Sequence, residues 1–168
     1  MIAVNEGEAM TTCKHFGLLV DELRSSDSQQ SSDVVQALQC GGDGEASRAV
    51  EAARCLFVAT GVPVCLTLGS HGAVVFNEEE AVTVRQTLEV KVVSTVGAGD
   101  ASLGALVAAL VEQRPLEEAL RRATAAGTLA CSGEGAQDAA PDDEAITKAA
   151  RQLVSRTVAA ARSGYAAR

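Results

Sequence analysis

The stretch Ser94-Thr-Val-Gly-Ala-Gly-Asp100 lies between an apolar run at residues 88–93 and an alanine-rich segment that begins at residue 101. It reads as a strand handing over to a helix through a glycine-rich loop. Gly97 and Gly99 let the backbone turn tightly and approach a ligand with no Cβ in the way. The N–H groups of Ala98, Gly99 and Asp100 would then point outward at a helix N-terminus. That arrangement binds phosphate and stabilises charge developing on a transferring phosphoryl group. Asp100 is the side chain in the loop able to take a proton from an attacking hydroxyl, a general base. Plain capping by Asp100 and plain turning by the glycines explain the same letters. The loop is neither a Walker A, which needs Gly-Lys-Ser/Thr, nor a G-x-G-x-x-G fingerprint, because Ser102 takes the third glycine position.

Upstream of the loop, Val62-Pro-Val-Cys-Leu-Thr-Leu68 is a compact, β-branched run, the signature of a strand buried on both faces. Gly69-Ser-His-Gly72 marks a turn and Ala73-Val-Val-Phe76 the returning strand. Residues 81–85 and 88–93 predict two more short strands. Residues 1–4 form a further strand, followed by a helix that Asn5 caps and that extends to about residue 23. The polar, low-complexity segment 25–33 predicts a solvated loop. A second loop, 41–44, leads into a helix over 45–60. Downstream, 20 of the 31 alanines fall in residues 101–168, which predicts helices near 99–113, 115–132 and 142–163. Pro115 and Pro141 stand where the second and third of these begin. Helices, then strands, then helices imply a layered α/β unit.

Composition narrows the function classes. The 168 residues suit one domain, and 14 Lys and Arg against 22 Asp and Glu give a net charge of −8. Nucleic acid is excluded as a partner, because phosphate contacts need clustered cations and the chain has four aromatics and no Trp for base stacking. With so few aromatics the core must be built from Ala, Val and Leu. No run of about 20 apolar residues offers a membrane span, and the first ten residues do not read as a secretory signal. Cys13, Cys40, Cys55, Cys65 and Cys131 are odd in number and include no CxxC pair, so they read as reduced, small apolar residues in the cytoplasm.

Three further motifs are individually weak. Thr67-Leu-Gly-Ser-His-Gly72 would let a nucleotide approach the backbone and offers hydroxyls from Thr67 and Ser70, yet a hairpin turn explains it equally. Asn5-Glu-Gly-Glu8 projects an amide and a carboxylate from one helical turn, suited to a phosphate or to the water ligands of Mg²⁺, but also to capping. Gly133-Glu-Gly-Ala-Gln137, with Pro141, is a loop after a helix.

Taken in this order, these three motifs and the Gly-Ala-Gly-Asp loop resemble the ribokinase-like (PfkB) sugar kinases, with ribokinase the nearest branch and the 1-phosphofructokinase type the alternative. The resemblance covers nearly the whole chain and implies a three-layer α/β/α fold with a mainly parallel sheet. It implies ATP-dependent phosphorylation of a sugar hydroxyl such as that of D-ribose, with Asp100 as base and the amides of Gly97, Ala98 and Gly99 as the anion hole. Thr67, Leu68, Gly69, Ser70, His71 and Gly72 would line the ATP site, with Asn5 near the phosphates. Glu8 would order Mg²⁺. Thr124 stands where the family usually has an Asn facing adenine. A monovalent cation such as K⁺ would sit among Ser94, Val96, Ala130, Gly133, Gly135 and Ala139, weakened by Ser94 in place of an Asp. Because family members are longer, the chain is expected to be the C-terminal part of such a kinase, truncated at the N-terminus, without the sugar-selecting half and its lid. A rival reading is a non-catalytic half-kinase that binds nucleotide or pairs with another chain, a second copy included, through a bare sheet edge.

Overall fold

A computed structural model describes residues 1–18, 20–134 and 140–159, with the backbone alone for residues 20–28. Five strands form one mixed sheet in the order β1-β2-β3-β4-β5: β1 Ile2–Asn5, β2 Val64–Thr67, β3 Gly72–Phe76, β4 Glu80–Arg85 and β5 Val154–Ala159. Alternate side chains of the central strands feed two separate cores. Val64, Leu66, Val74, Phe76 and Ala81 pack with helices α1 (Glu6–His15), α2 (Val20–Leu38) and α3 (Gly44–Thr60). Cys65, Ala73, Val75, Val82 and Val84 pack with α4 (Ala98–Val111), α5 (Leu116–Ala130) and α6 (Asp143–Ala150). That is the expected three-layer α/β/α arrangement, because a sheet buried on both faces needs apolar side chains at odd and even positions alike. Each fully buried Val or Leu contributes about 1.5–3 kcal/mol. Phe76 is the largest fully buried side chain in a core otherwise made of Val, Leu, Ala and Cys.

Five sequence expectations are corrected. The sheet is not mainly parallel: β1 and β2 are parallel, with Ile2 opposite Val64, but the other three pairings are antiparallel. Residues 72–85 form consecutive hairpin strands, and short turns such as 77–79 cannot make the crossover that parallel neighbours require. The segment 25–33 is not a loop but lies inside α2. It contains neither Gly nor Pro, and the same helix buries Val34 and Leu38, spaced i, i+4, against α3 and the sheet. Residues 88–93 form no strand; instead the N–H groups of Val93 and Ser94 both donate to the carbonyl of Cys131, at 2.8 and 3.3 Å. The helix placed over 142–163 stops at Ala150, and β5 follows on the edge of β4. The β-branched residues at 154, 157 and 158 outweigh the surrounding alanines, and Thr83 Oγ1 adds a 2.9 Å bond to the Arg156 carbonyl. The first helix is also shorter than expected, ending at His15 with Gly17 at φ 64° just beyond.

Candidate active site

Where the 94–100 loop meets α4, Gly97 adopts φ 82°, a left-handed conformation that disfavours other residues. Gly97 has no side chain with which to cap the helix, and the first helical bond runs from Ala101 N–H to the Gly97 carbonyl at 2.9 Å. The amide of Ala98 is drawn to the Thr95 carbonyl at 3.3 Å. Those of Gly99 and Asp100 are left to an external acceptor, as at any uncapped helix start. Asp100 is exposed and has no hydrogen-bond or ion-pair partner among the described residues. It does not cap the helix.

Two adjoining clefts meet at this loop. The first, about 300 Å³, brings Thr67, Gly69, Ser70 and Gly72 of the β2–β3 turn together with Gly99 and Thr124. The second, about 340 Å³, joins Asn5 and Glu8 to Asp100. Thr67, Ala73, Gly99 and Ser102 line both. Residues far apart in sequence, from three of the four motifs, thus line two adjoining clefts, while none of the described residues of the 133–141 motif lines either. Sequence reasoning missed Ser102, Gln86, Thr128 and Cys131, which also line the first cleft. For Ser102 a signal existed, since it lies two residues beyond Asp100 on the same helix.

Other expected site residues are placed differently. Leu68 is fully buried in the core beneath α1 and α3. His71 turns away from the clefts, with Nε2 3.2 Å from Asp43 Oδ2. Asn5 and Glu8 form a reciprocal capping box on α1. The Glu8 N–H donates to Asn5 Oδ1 and the Asn5 N–H to Glu8 Oε2, both at 2.9 Å. Glu8 remains exposed, with its second carboxylate oxygen available to the cleft. Thr124 lines the first cleft, but its hydroxyl donates to the Leu120 carbonyl at 3.0 Å. It can offer a ligand only its oxygen lone pairs. Of the residues assigned to a monovalent cation, Gly135 and Ala139 lie outside the described residues. Ser94 Oγ accepts the Val96 N–H at 3.2 Å, Val96 is exposed and Ala130 is buried. Gly133 is half-buried at the end of the segment after α5.

α4 and α5 cross closely beside the loop. A Cβ at Gly127 would stand 3.0 Å from the Ala98 carbonyl oxygen and 3.2 Å from Ser102 Cβ. The cysteines separate by environment. Burial pushes the thiol of Cys13 up to about 11 and those of Cys55 and Cys65 up to about 12. Burial raises that of Cys40 as well. Cys131 alone is partly exposed, and it lines the first cleft.

Layered helices on a mixed sheet thus carry a glycine-rich loop and an exposed carboxylate at one mouth. The comparisons with known proteins give the chain a family. The model of the pfkB family carbohydrate kinases matches residues 37–143, well over half of the chain, and the chain belongs to that family. It is 37% identical over 87 residues to ribokinase from Arabidopsis thaliana, covering 51% of this chain and 23% of the relative. It is 39% identical over 80 residues to ATP-dependent 6-phosphofructokinase isozyme 2 of Escherichia coli strain K12, covering 48% and 26%. Among solved structures, ribokinase from Thermotoga maritima superposes with a TM-score of 0.64 at 27% identity over 89% of this chain and 41% of that one. The alignments thus span about a quarter of the length of these curated relatives. Among the described residues no helix is long and apolar enough to cross a membrane.

Proposed function

We propose that the chain is the nucleotide-binding, base-carrying portion of an ATP-dependent sugar kinase. The observation that carries this reading is the meeting of the two clefts at Gly99, with Asp100 exposed beside amides that lack partners. ATP lies in the first cleft, its purine toward Thr124 and Thr128 and its terminal phosphate at the start of α4. Asp100 accepts the proton of the sugar hydroxyl as that oxygen attacks the γ-phosphorus. The Gly99 and Asp100 amides then hold the equatorial oxygens, whose charge they stabilise without reorganising. The donor set fits Mg²⁺ through Glu8, whose second oxygen faces the same space, and the metal would neutralise phosphate charge. A monovalent cation site would be weakened, because Ser94 stands where a carboxylate is expected and its hydroxyl oxygen already accepts the Val96 N–H. The ribokinase of A. thaliana has been solved with ribose and ATP, which supports a sugar and ATP as the ligand pair. Ribose and fructose 6-phosphate are both candidate acceptors, given the two kinds of relative. In this reading sugar selection, and the lid that excludes water, belong to the part of the relatives' length that the alignments do not cover. The reading of the five cysteines as reduced thiols supports a cytoplasmic location.

The test uses Cys131 as a reporter. At neutral pH, Cys131 alkylates first while the four buried thiols stay unmodified, followed by mass spectrometry. ATP at ten times its Kd slows that modification about tenfold. Alkylation of Cys131 at the same rate with and without ATP would remove the nucleotide from this cleft.

A second reading, self-association, is favoured by one feature. Leu103, Val107 and Val111 of α4 form an i, i+4, i+8 stripe that is 45%, 51% and 77% exposed. The outer edge of β1 is also unpaired among the described residues. Light scattering across a concentration series should show a dimer that Val107→Glu converts to monomer. A monomer at all concentrations eliminates this reading.

A further inference from the structure

The nucleotide loop is short and carries unusual backbone. Gly69 and Gly72 bracket the 3-10 turn Gly69–His71 at φ 48° and φ 111°. The backbone bonds of the turn are His71 N–H to the Leu68 carbonyl at 2.9 Å and Leu68 N–H to the Gly72 carbonyl at 2.8 Å, and one longer bond, Gln86 N–H to the His71 carbonyl at 3.3 Å, ties it to the end of β4. The side chain of Ser70 has no partner among the described residues. One side chain of the turn reaches another element. His71 Nε2 lies 3.2 Å from Asp43 Oδ2, and Asp43 is the N-cap of α3.

Asp43 divides its two oxygens between two tasks. Oδ1 accepts the N–H groups of Glu45 and Ala46 at 2.9 and 3.1 Å, which closes the start of α3. Oδ2 faces the imidazole. The Ala46 amide, His71 and the Glu45 amide together hold the Asp43 carboxyl below the usual carboxylate range. Two other carboxylates face this pair, Glu6 from α1 and Glu45 from α3. Burial first, then Asp43 and Glu45, raise the Glu6 carboxyl, and His71 opposes them. The imidazole thus stands beside three acids, Asp43, Glu45 and Glu6, and is attached to the turn that lines the first cleft.

We infer that the His71–Asp43 pair is a latch that positions the Gly69–Gly72 turn for the nucleotide, making both positioning residues and not ligands. The inference rests on the reading of the first cleft as the ATP site. The turn's backbone must be held in place before ATP arrives, because any ordering left until binding subtracts from affinity. α3 is a rigid anchor, its inner face packed in the core.

Substitution separates the latch from the cap. Asn caps a helix as well as Asp does, so Asp43→Asn keeps α3 closed but gives His71 a neutral partner. His71→Asn removes the imidazole and leaves the cap intact. Protection of Cys131 by ATP, titrated in the full chain, reads the outcome. We expect each variant to weaken ATP binding about two- to fivefold, with thermal midpoints close to the parent. The double variant should be no weaker than either single one. His71→Lys, which again presents a donor to Asp43, should recover part of the loss. Equal ATP affinity in all variants would overturn the latch while leaving the nucleotide site standing. Loss in Asp43→Asn without loss in His71→Asn would overturn it too, assigning Asp43 to α3 alone. Absence of protection in the wild type would overturn the nucleotide reading and the latch with it.

Discussion

Asp100→Asn is expected to lower sugar phosphorylation by about 10²- to 10⁴-fold, the usual contribution of a positioned general base, while ATP still protects Cys131. The asparagine is nearly isosteric, so the helix start and its free amides persist, but an amide oxygen cannot take up the hydroxyl proton at neutral pH. The aspartate's exposure matters to the argument. A carboxylate bonded back to its own helix would have been a cap, and its replacement by Asn would have changed little. Here the carboxylate makes no such bond, and Gly97 leaves the cap position bare. Coupled detection of ADP with ribose and with fructose 6-phosphate measures the rate. Full turnover by the variant would assign the proton to another group.

Gly72→Ala should be the most damaging single methyl group in the molecule. A Cβ there would stand 2.0 Å from the Val84 carbonyl oxygen and 2.8 Å from the Gln86 nitrogen, both backbone atoms of the neighbouring chain segment. Neither can swing aside as a side chain would. The φ of 111° adds its own strain for any L residue. We expect a loss of about 2–4 kcal/mol, read as a large fall in the thermal midpoint or as insoluble protein. Gly69→Ala provides the control. Its φ of 48° is also left-handed, but a Cβ would meet nothing within 4 Å, so the cost should stay near 1 kcal/mol. Equal stability of the two variants would show that β3 and β4 are not as close at this point as described.

These contrasts also explain what the sequence could disclose. The central strands and their turn were legible because Val62–Leu68 and Ala73–Phe76 are β-branched runs separated by glycines, a local signal that tertiary packing reinforces. The start of α4 was legible for the same reason, and so was the Asn5 cap. Sheet direction was not. The letters of a buried strand are the same in either orientation, and only the short turns at 69–72 and 77–79 carried the antiparallel information. Residues 25–33 were misread because polarity says where a segment faces, not whether it is helical. Val34 and Leu38, just beyond, are what fasten that helix. β5 was hidden by its alanine-rich neighbourhood, although Val154, Thr157 and Val158 carried a strand preference. Within the site, the motifs pointed to Asp100, Gly99, Thr67 and Ser70. They could not reveal that His71 looks away toward Asp43, since that contact spans 28 positions and depends on how α3 docks.

The tight crossing of α4 and α5 at Gly127 bears on the shape of the first cleft. With the Ala98 carbonyl against a residue that has no side chain to yield, α4 and α5 meet with no slack between their backbones, and they form one wall of the first cleft. A larger residue at 127 would therefore push Ala98 and Ser102 apart from α5 and reshape that wall.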